Sequence, residues 1–452
     1  MFGAATSSYQ VEGAHDLDGR GPSIWDTFCR TPGKVANAER ADVACDHYHR
    51  WGEDIAIMQA LSLGAYRFSI AWPRVLPTGI GPVPNEAGLA FYDRLVDGLL
   101  EADITPWATL YHWDLPQHLQ DAGGWPDRRI VDHFVRYVDI VSRRLGDRVK
   151  HWITHNEPWC AAFLGHESGH HAPGHADFPE ALRAAHHILL SHGKAIPVIR
   201  ANAPGARVGI TLNLTPGYPA SPSNADQDAT RHFDGFFNRW FLDPCHGRPY
   251  PTDMVADYQR MGRLPQGDIP FVRDGDIETI GAETDFLGIN YYTRATLRSE
   301  AIPEGDNAPR TLHDAPDSER TDMGWEVYPD GLRDLLTRLD AEYPTGPIYI
   351  TESGSAWPDT VDPDGRVRDP KRRAFLHDHL QSCLQAREAG VPVEGYFAWS
   401  LMDNFEWAHG YRMRFGLVRV DFETLERTIK DSGHWFARVA HERVLHPPES
   451  EE

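Results

Sequence analysis

Thr105-Pro106-Trp107-Ala108-Thr109-Leu110-Tyr111, then the run Arg128 to Leu145, then His151-Trp152-Ile153-Thr154: residues 105–154 decide how this chain folds. Two short, β-rich apolar segments enclose a longer one whose apolar residues fall at helical spacing, which makes a βα unit leading into the next strand of a parallel sheet. Outward from this stretch the same alternation recurs along the whole chain. Strands are expected at Phe2 to Ala5, Tyr66 to Ala71, Thr105 to Tyr111, His151 to Thr154, Val208 to Leu214, Phe286 to Tyr291, Ile348 to Thr351 and Val393 to Trp399. Helical spacing marks Asp54 to Leu63, Glu86 to Glu101, Arg128 to Leu145, Ala181 to Arg200, Leu332 to Leu339 and Arg372 to Glu388. Eight such units fit an α/β protein with a (β/α)8 TIM barrel. Length alone, at about 150 residues per domain, would suggest three domains. No linker, low-complexity tract or further repeat divides the chain, so residues 1–452 are read as a single barrel domain.

Two segments read as long loops at the C-terminal face of the barrel. Ser299 to Asp322 is rich in Pro, Asp and Glu, and Ser353 to Asp369 repeats Pro, Asp and Gly. At that face side chains from several strands converge. The composition, 41% apolar and 24% charged, is that of a globular protein. Acidic residues (66) outnumber basic ones (44), a net charge of −22, which argues against nucleic acid or anionic lipid as partners. No run approaches the roughly 18 apolar residues of a membrane span, and Met1 leads into Phe2-Gly3-Ala4-Ala5 without a basic or hydrophobic leader, so a cytoplasmic protein is expected. Cys29, Cys45, Cys160, Cys245 and Cys383 are scattered and form no Cys-x-x-Cys pair, which reads as free thiols.

The expected fourth strand ends in Thr154-His155-Asn156-Glu157-Pro158-Trp159 and the seventh in Ile350-Thr351-Glu352-Ser353-Gly354. In a barrel, opposite strand ends share one mouth. Two carboxylates facing each other there suit glycosidic cleavage: one protonates the leaving oxygen while the other attacks, or activates water at, the anomeric carbon. Either glutamate alone would read as a strand-end salt bridge.

Their company decides between these readings. The chain carries Gly3-Ala4-Ala5-Thr6-Ser7-Ser8-Tyr9-Gln10-Val11-Glu12-Gly13-Ala14, Tyr66-Arg67-Phe68-Ser69-Ile70-Ala71-Trp72-Pro73-Arg74 and Tyr111-His112-Trp113-Asp114-Leu115-Pro116. It continues with Asn156-Glu157-Pro158, Asn290-Tyr291-Tyr292, Thr351-Glu352, Trp399-Ser400-Leu401-Met402-Asp403-Asn404-Phe405-Glu406-Trp407 and Arg414-Phe415-Gly416. In this order the motifs resemble glycoside hydrolase family one, the β-glucosidase family, over nearly the whole chain. The resemblance implies a (β/α)8 barrel, retention of configuration, Glu157 as acid/base and Glu352 as nucleophile. It places Arg67 and Tyr292 beside the nucleophile, with Asn290 and Trp113 in support. It assigns the sugar to Gln10, His112, Asn156, Tyr292, Glu406, Trp407 and Phe415 over a Trp399 floor, and the aglycone to Trp159 and Trp325. It also implies a cis peptide between Trp399 and Ser400, and neither cofactor nor metal. Physically, a retaining enzyme needs one carboxyl neutral and the other ionised at the same pH, so their surroundings must separate them.

The expected activity is that of an exo-acting β-glucosidase on small β-glucosides, with β-galactosidase or β-fucosidase side activity and a place in cellulose degradation. A transglycosylase on the same scaffold and a non-catalytic sugar-binding barrel are the alternatives; the presence of both glutamates speaks against the second. Glu406-Trp407 argues against a 6-phosphorylated sugar, which a carboxylate would repel. Oligomeric state is not readable.

Several features depart from these patterns. His166-Glu167-Ser168-Gly169-His170 matches the His-Glu-x-x-His zinc motif, with His171 and His175 close by, but Gly169 and Pro173-Gly174 break the helix that motif requires. A rim loop of the mouth is the better reading. His155 stands where the family has an apolar residue, and strand alternation points it away from Asn156, between strand and helix layers. Ser353 stands where the family has Asn and is expected to keep part of that amide's hydrogen bonding. The family usually has roughly a dozen residues ahead of Phe2-Gly3-Ala4, so the first strand is expected to be short, frayed and the weakest part of the barrel, from a truncated or misassigned start.

Overall fold

A computed structural model describes residues 1–299 and 318–448, together with the backbone of 309–312. Strands β1 (Phe2–Ala5), β2 (Ala65–Ser69), β3 (Thr105–Thr109), β4 (His151–Asn156), β5 (Arg207–Asn213), β6 (Phe286–Asn290), β7 (Ile348–Ser353) and β8 (Val393–Trp399) form a closed parallel barrel. Each lies beside its sequence neighbour. The short β1 pairs with β8 from Phe2↔Tyr396 to Ala5↔Trp399 and with β2 from Gly3↔Ala65 to Ala5↔Arg67, so both its edges are hydrogen-bonded.

Helices α1 (His47–Ala60), α2 (Glu86–Glu101), α3 (Ile130–Leu145), α4 (Phe178–Asn202), α5 (Pro329–Glu342), α6 (Pro370–Glu388) and α7 (Asp431–Glu442) account for most of the outer layer. Helix α4 starts three residues before the apolar pattern because Asp177 caps it, its side chain accepting the Glu180 N–H. Helix α1 also starts earlier than its pattern, where His47 is buried against Asp54, 2.8 Å away.

The strand ends differ from expectation in an informative way. Ile70-Ala71 and Leu110-Tyr111 are apolar and buried yet leave the sheet: Trp72–Val75 coils into a helical turn, its start fixed by the Tyr92 hydroxyl accepting the Ala71 N–H. Strands β4 and β7 instead run two residues further than expected. Both lose regular register there, β4 between Ile153 and Asn156 and β7 between Ile350 and Glu352. Such irregularities re-aim side chains at a barrel rim. Of the expected loop at 299–322, Ala295–Ser299 pairs antiparallel with Pro309–Leu312 in a small sheet that includes Gly217–Pro219, and residues 300–308 and 313–317 lie outside the described residues. The second loop has no helix or strand from 354 to 369 and is anchored by buried Arg372 on Asp359 and Asp369.

Below the mouth the barrel is filled. The Trp107 ring stacks on His151 at 4.3 Å and meets Phe286, Tyr349 and Phe397 at 5.2, 4.8 and 5.1 Å. These rings, with Ile153 and Ala65 packed among them, give the cavity above a closed floor. Among the described residues no helix is long and apolar enough to cross a membrane.

Candidate active site

The strand ends open into a cavity of about 830 Å³. Its wall includes Glu157 and Glu352, with His112, Trp113, Asn290, Tyr292, Trp399, Glu406, Trp407 and Phe415 around them and Trp159 and Trp325 further out. Twelve of the fifteen residues singled out from the sequence thus face one cavity. Arg67, Asn156 and Gln10 stand just behind the wall.

Glu352 is held on both oxygens. Arg67 Nη1 donates to Oε1 at 2.5 Å and the Tyr292 hydroxyl donates to Oε2 at 2.7 Å. Gly354 lets β7 end this way, because a Cβ there would lie 1.8 Å from the Trp399 carbonyl oxygen. Glu157 adopts a left-handed backbone (φ 49°), and its Oε1 accepts from Asn290 Nδ2 at 2.6 Å. A second contact comes from the Cys160 thiol. Asn290 cannot turn over, because its Oδ1 accepts from Thr351 Oγ1 at 2.8 Å. The same amide also contacts Glu352.

Burial pushes both carboxyls up. Arg67, Tyr292 and Asn290 oppose this at Glu352. At Glu157 the charge of Glu352 adds to burial and pushes it to about 8. The first proton therefore leaves Glu352 and the last stays on Glu157. Glu406 is likewise pushed to about 8, by burial and then by the charges of Glu352 and Glu157.

The polar side chains around the pair are fixed by one another. Arg67 Nη2 and Asn290 Nδ2 donate to Asn156 Oδ1 at 2.5 and 3.1 Å, so Asn156 Nδ2 is a donor and its partner His112 Nε2, 3.1 Å away, is an acceptor. Burial holds His112 neutral, its proton sits on Nδ1, and that N–H has no partner among the described residues. Gln10 donates to the Phe405 carbonyl at 2.8 Å, to Asn404 Oδ1 at 3.0 Å and to Glu406 Oε2 at 3.4 Å. It is fully buried, so it orients Glu406 from behind. Trp113 Nε1 donates to the Asn156 carbonyl at 2.9 Å. The 399–416 segment carrying the Trp399 floor has the expected cis peptide before Ser400, and buried Asp403 fixes it by accepting from Lys430 (2.6 Å), Arg414 (2.8 Å) and the Gly416 N–H (2.9 Å).

His155 points outward as alternation requires: its ring stacks on Phe134 at 4.5 Å and bonds Ser191 Oγ at 2.8 Å. Ser353 is also turned outward, against Tyr396, and makes no bond to Glu352 among the described residues; the expectation that it keeps part of an amide's bonding there is corrected. The His-Glu-x-x-His segment is not a helix with two facing histidines. His166 is buried against Glu180, whereas His170 is exposed at the cavity rim. Sequence reasoning missed Cys160, His171, Phe233 and Phe237, which also line the cavity. Cys160 was findable, because it stands three residues after Glu157 in a helical segment; Phe233 and Phe237 come from the long β5–β6 connection and carry no local signal.

A closed parallel barrel whose mouth presents two buried, oppositely partnered carboxylates among aromatic rings defines a glycosidase. The comparison with known proteins agrees: the Glycosyl hydrolase family 1 profile matches residues 1–444, and the chain belongs to that family. It is similar to Beta-glucosidase A of Acetivibrio thermocellus, 45% identical over 439 residues that cover 97% of this chain and 96% of that protein. It also resembles a bifunctional β-D-glucosidase/β-D-fucosidase of Bifidobacterium breve, 44% identical over 459 residues covering 97% and 96%. A solved structure of the β-glucosidase from Thermotoga maritima in complex with glucoimidazole superposes with a TM-score of 0.92 at 44% identity, covering 98% of this chain and 97% of that one.

Proposed function

We propose that this chain is a retaining exo-β-glucosidase acting by double displacement, with Glu352 as nucleophile and Glu157 as acid and then base. The observation that carries this is the pair of opposed surroundings joined by Asn290. Glu352, the first to ionise, attacks the anomeric carbon while Glu157, still protonated, gives its proton to the departing oxygen. Forming the glycosyl ester removes the Glu352 charge that raised Glu157. Glu157, ionised by that proton transfer and no longer raised by a neighbouring charge, takes a proton from the incoming water, whose oxygen bonds the anomeric carbon as Glu352 departs as a carboxylate, with overall retention. Asn156, held by Arg67, supports the sugar's 2-hydroxyl, and the unpaired His112 Nδ1–H supplies a donor to a neighbouring hydroxyl. Glu406, steadied by Gln10, reads hydroxyls at the far end of the ring over Trp399, with Trp407 and Phe415 completing the subsite. Neither Gln10 nor Glu406 blocks an axial 4-hydroxyl, which supports β-galactoside or β-fucoside side activity.

Trp159 and Trp325, with Phe237, form the aglycone side, fitted to aryl groups and short cello-oligosaccharides, hence to the late steps of cellulose degradation. Five buried cysteines without a disulfide support a reducing, cytoplasmic setting. The net charge of −22 keeps nucleic acid out of the partner list. We take the whole chain to work as one catalytic barrel without a cofactor. The test is to follow hydrolysis of an aryl β-glucoside by proton NMR: β-glucose must form first and mutarotate afterwards. Initial α-glucose, or no turnover of cellobiose and aryl β-glucosides by folded protein, overturns the proposal.

A further inference from the structure

His166, His175 and Glu180 come from three different places and meet at one point. His166 ends the helical run 158–166 that starts beside Glu157, His175 lies in the rim loop, and Glu180 sits in the first turn of α4. One ligand atom of each lies within 4.8 Å of the others. Both rings turn Nδ1 to the same Glu180 oxygen, at 2.6 Å for His166 and 2.5 Å for His175. The ring planes are nearly perpendicular (85°), so the two nitrogens reach the carboxylate from different directions, each donating its Nδ1–H, a proton that an ion would displace to leave the lone pair as ligand. The backbone fixes this meeting: the His175 N–H donates to the Gly165 carbonyl (3.0 Å) and the Asp177 N–H to the His166 carbonyl (2.7 Å). Asp177 in turn accepts the Glu180 N–H.

We propose that His166, His175 and Glu180 bind a divalent transition-metal ion of the zinc class, which clamps the rim loop against the start of α4. Two imidazoles and one carboxylate are a donor set for such an ion, with a fourth position left to water. Ligand bonds of about 2.1 Å in tetrahedral array hold ligand atoms about 3.3 Å apart. From 2.6 and 2.5 Å, the two Nδ1 atoms and the Glu180 oxygen must therefore move apart by less than an ångström. They have room to do so, because the side chains of His175 and Glu180 are 44% and 20% exposed while His166, at 1%, is the fixed corner. The exposed side is also the route by which an ion enters. The sequence motif pointed to the wrong partner: His170 faces the cavity, and the second histidine of the site is His175.

The clamp lies outside the chemistry but next to it. Ser168, Gly169, His170 and His171, between two of the ligands, line the cavity. On the proposed function they border its aglycone side, so fixing them would change how long substrates seat without touching either glutamate.

The full chain is stripped with a chelator, dialysed against micromolar Zn²⁺, and bound metal is counted by elemental analysis. Wild type should retain one more zinc per chain than His175→Gln and than the His175→Gln/Glu180→Gln double variant, while His170→Gln should match wild type. Co²⁺ in place of Zn²⁺ should give visible d–d bands in wild type that the double variant lacks. Circular dichroism checks folding, and the exposed His175→Gln single variant serves if the double variant does not fold. Equal zinc content in wild type and His175→Gln, or loss of zinc in His170→Gln, overturns the site. Zinc should change KM for cellotetraose at least twofold and leave kcat on an aryl β-glucoside unchanged; an unmoved KM overturns the clamp. Zinc counts do not depend on turnover, so failure of the proposed function would show separately, as inactivity of a metal-binding protein.

Discussion

At the end of β4, Glu157 meets an amide and a thiol; at the end of β7, Glu352 meets a guanidinium and a phenol. Both strands overrun their regular pairing before the carboxylate, and both side chains are buried in the same cavity. Residue type and depth are shared, and the difference in proton affinity follows the neighbours. Two identical carboxyls can do opposite work when one faces a fixed positive charge and the other faces the first.

The largest effect is expected from deleting the charged member. Glu352→Gly should lower hydrolysis by at least about 10⁴-fold, and azide, entering the vacated space, should restore turnover of an activated aryl glucoside. The product must be the α-glucosyl azide; a β product would reverse the roles of the two strand ends.

Deleting the other member should give a selective loss. Glu157→Ala should slow cellobiose by about 10² to 10⁴-fold while dinitrophenyl glucoside, whose leaving group needs no proton, loses far less in the first step. Equal losses on the two substrates would remove Glu157 from the acid role.

The comparison sharpens with pH. Activity should fall on the alkaline side as Glu157 loses its proton near pH 8. Stability follows the same group. Its proton affinity is raised from 4.5 to about 8 on folding, so the native state keeps a proton that the unfolded state gives up within that window, and stability is lost as pH rises through it. Glu157→Gln has no proton to lose. Its melting temperature should therefore exceed that of wild type by more at pH 8 than at pH 5, and a constant difference would show that Glu157 is not held protonated. Cys160→Ala removes a donor to the ionised form of Glu157, so the alkaline limb should move up by roughly half a pH unit; a downward move would contradict the contact.

The smallest effect is expected one residue before Asn156. His155→Asn should leave kcat/KM within about twofold and cost stability only, read as a lower melting temperature, because the ring serves the strand–helix layer.

Much of this was readable from the chain. The βα alternation is strong because the barrel strands are buried on both faces and most read as short apolar, β-rich runs. The glutamates stand in ordered motifs, and twelve of the named residues face one cavity. What escaped reading depends on contacts between distant segments. Ala295–Ser299 alternates, but over only five residues at the edge of a stretch rich in Pro, Asp and Glu, which reads as loop. The bridging role of Asn290 depends on Thr351, 61 residues away. The meeting of His166 with His175 depends on a loop that doubles back, which no fixed spacing announces. Ser353 was misjudged because proximity in sequence to Glu352 was read as proximity in space, whereas alternation along β7 turns it outward.

The ring of aromatic side chains around Trp107 makes the cavity a cul-de-sac. Substrate and product share one doorway, so a released glucose must back out before the next chain end can enter, and the remainder of an oligosaccharide must let go each time. Degradation is then distributive: cellotetraose should pass through free cellotriose and free cellobiose in succession, and glucose accumulating outside the doorway competes with every new arrival.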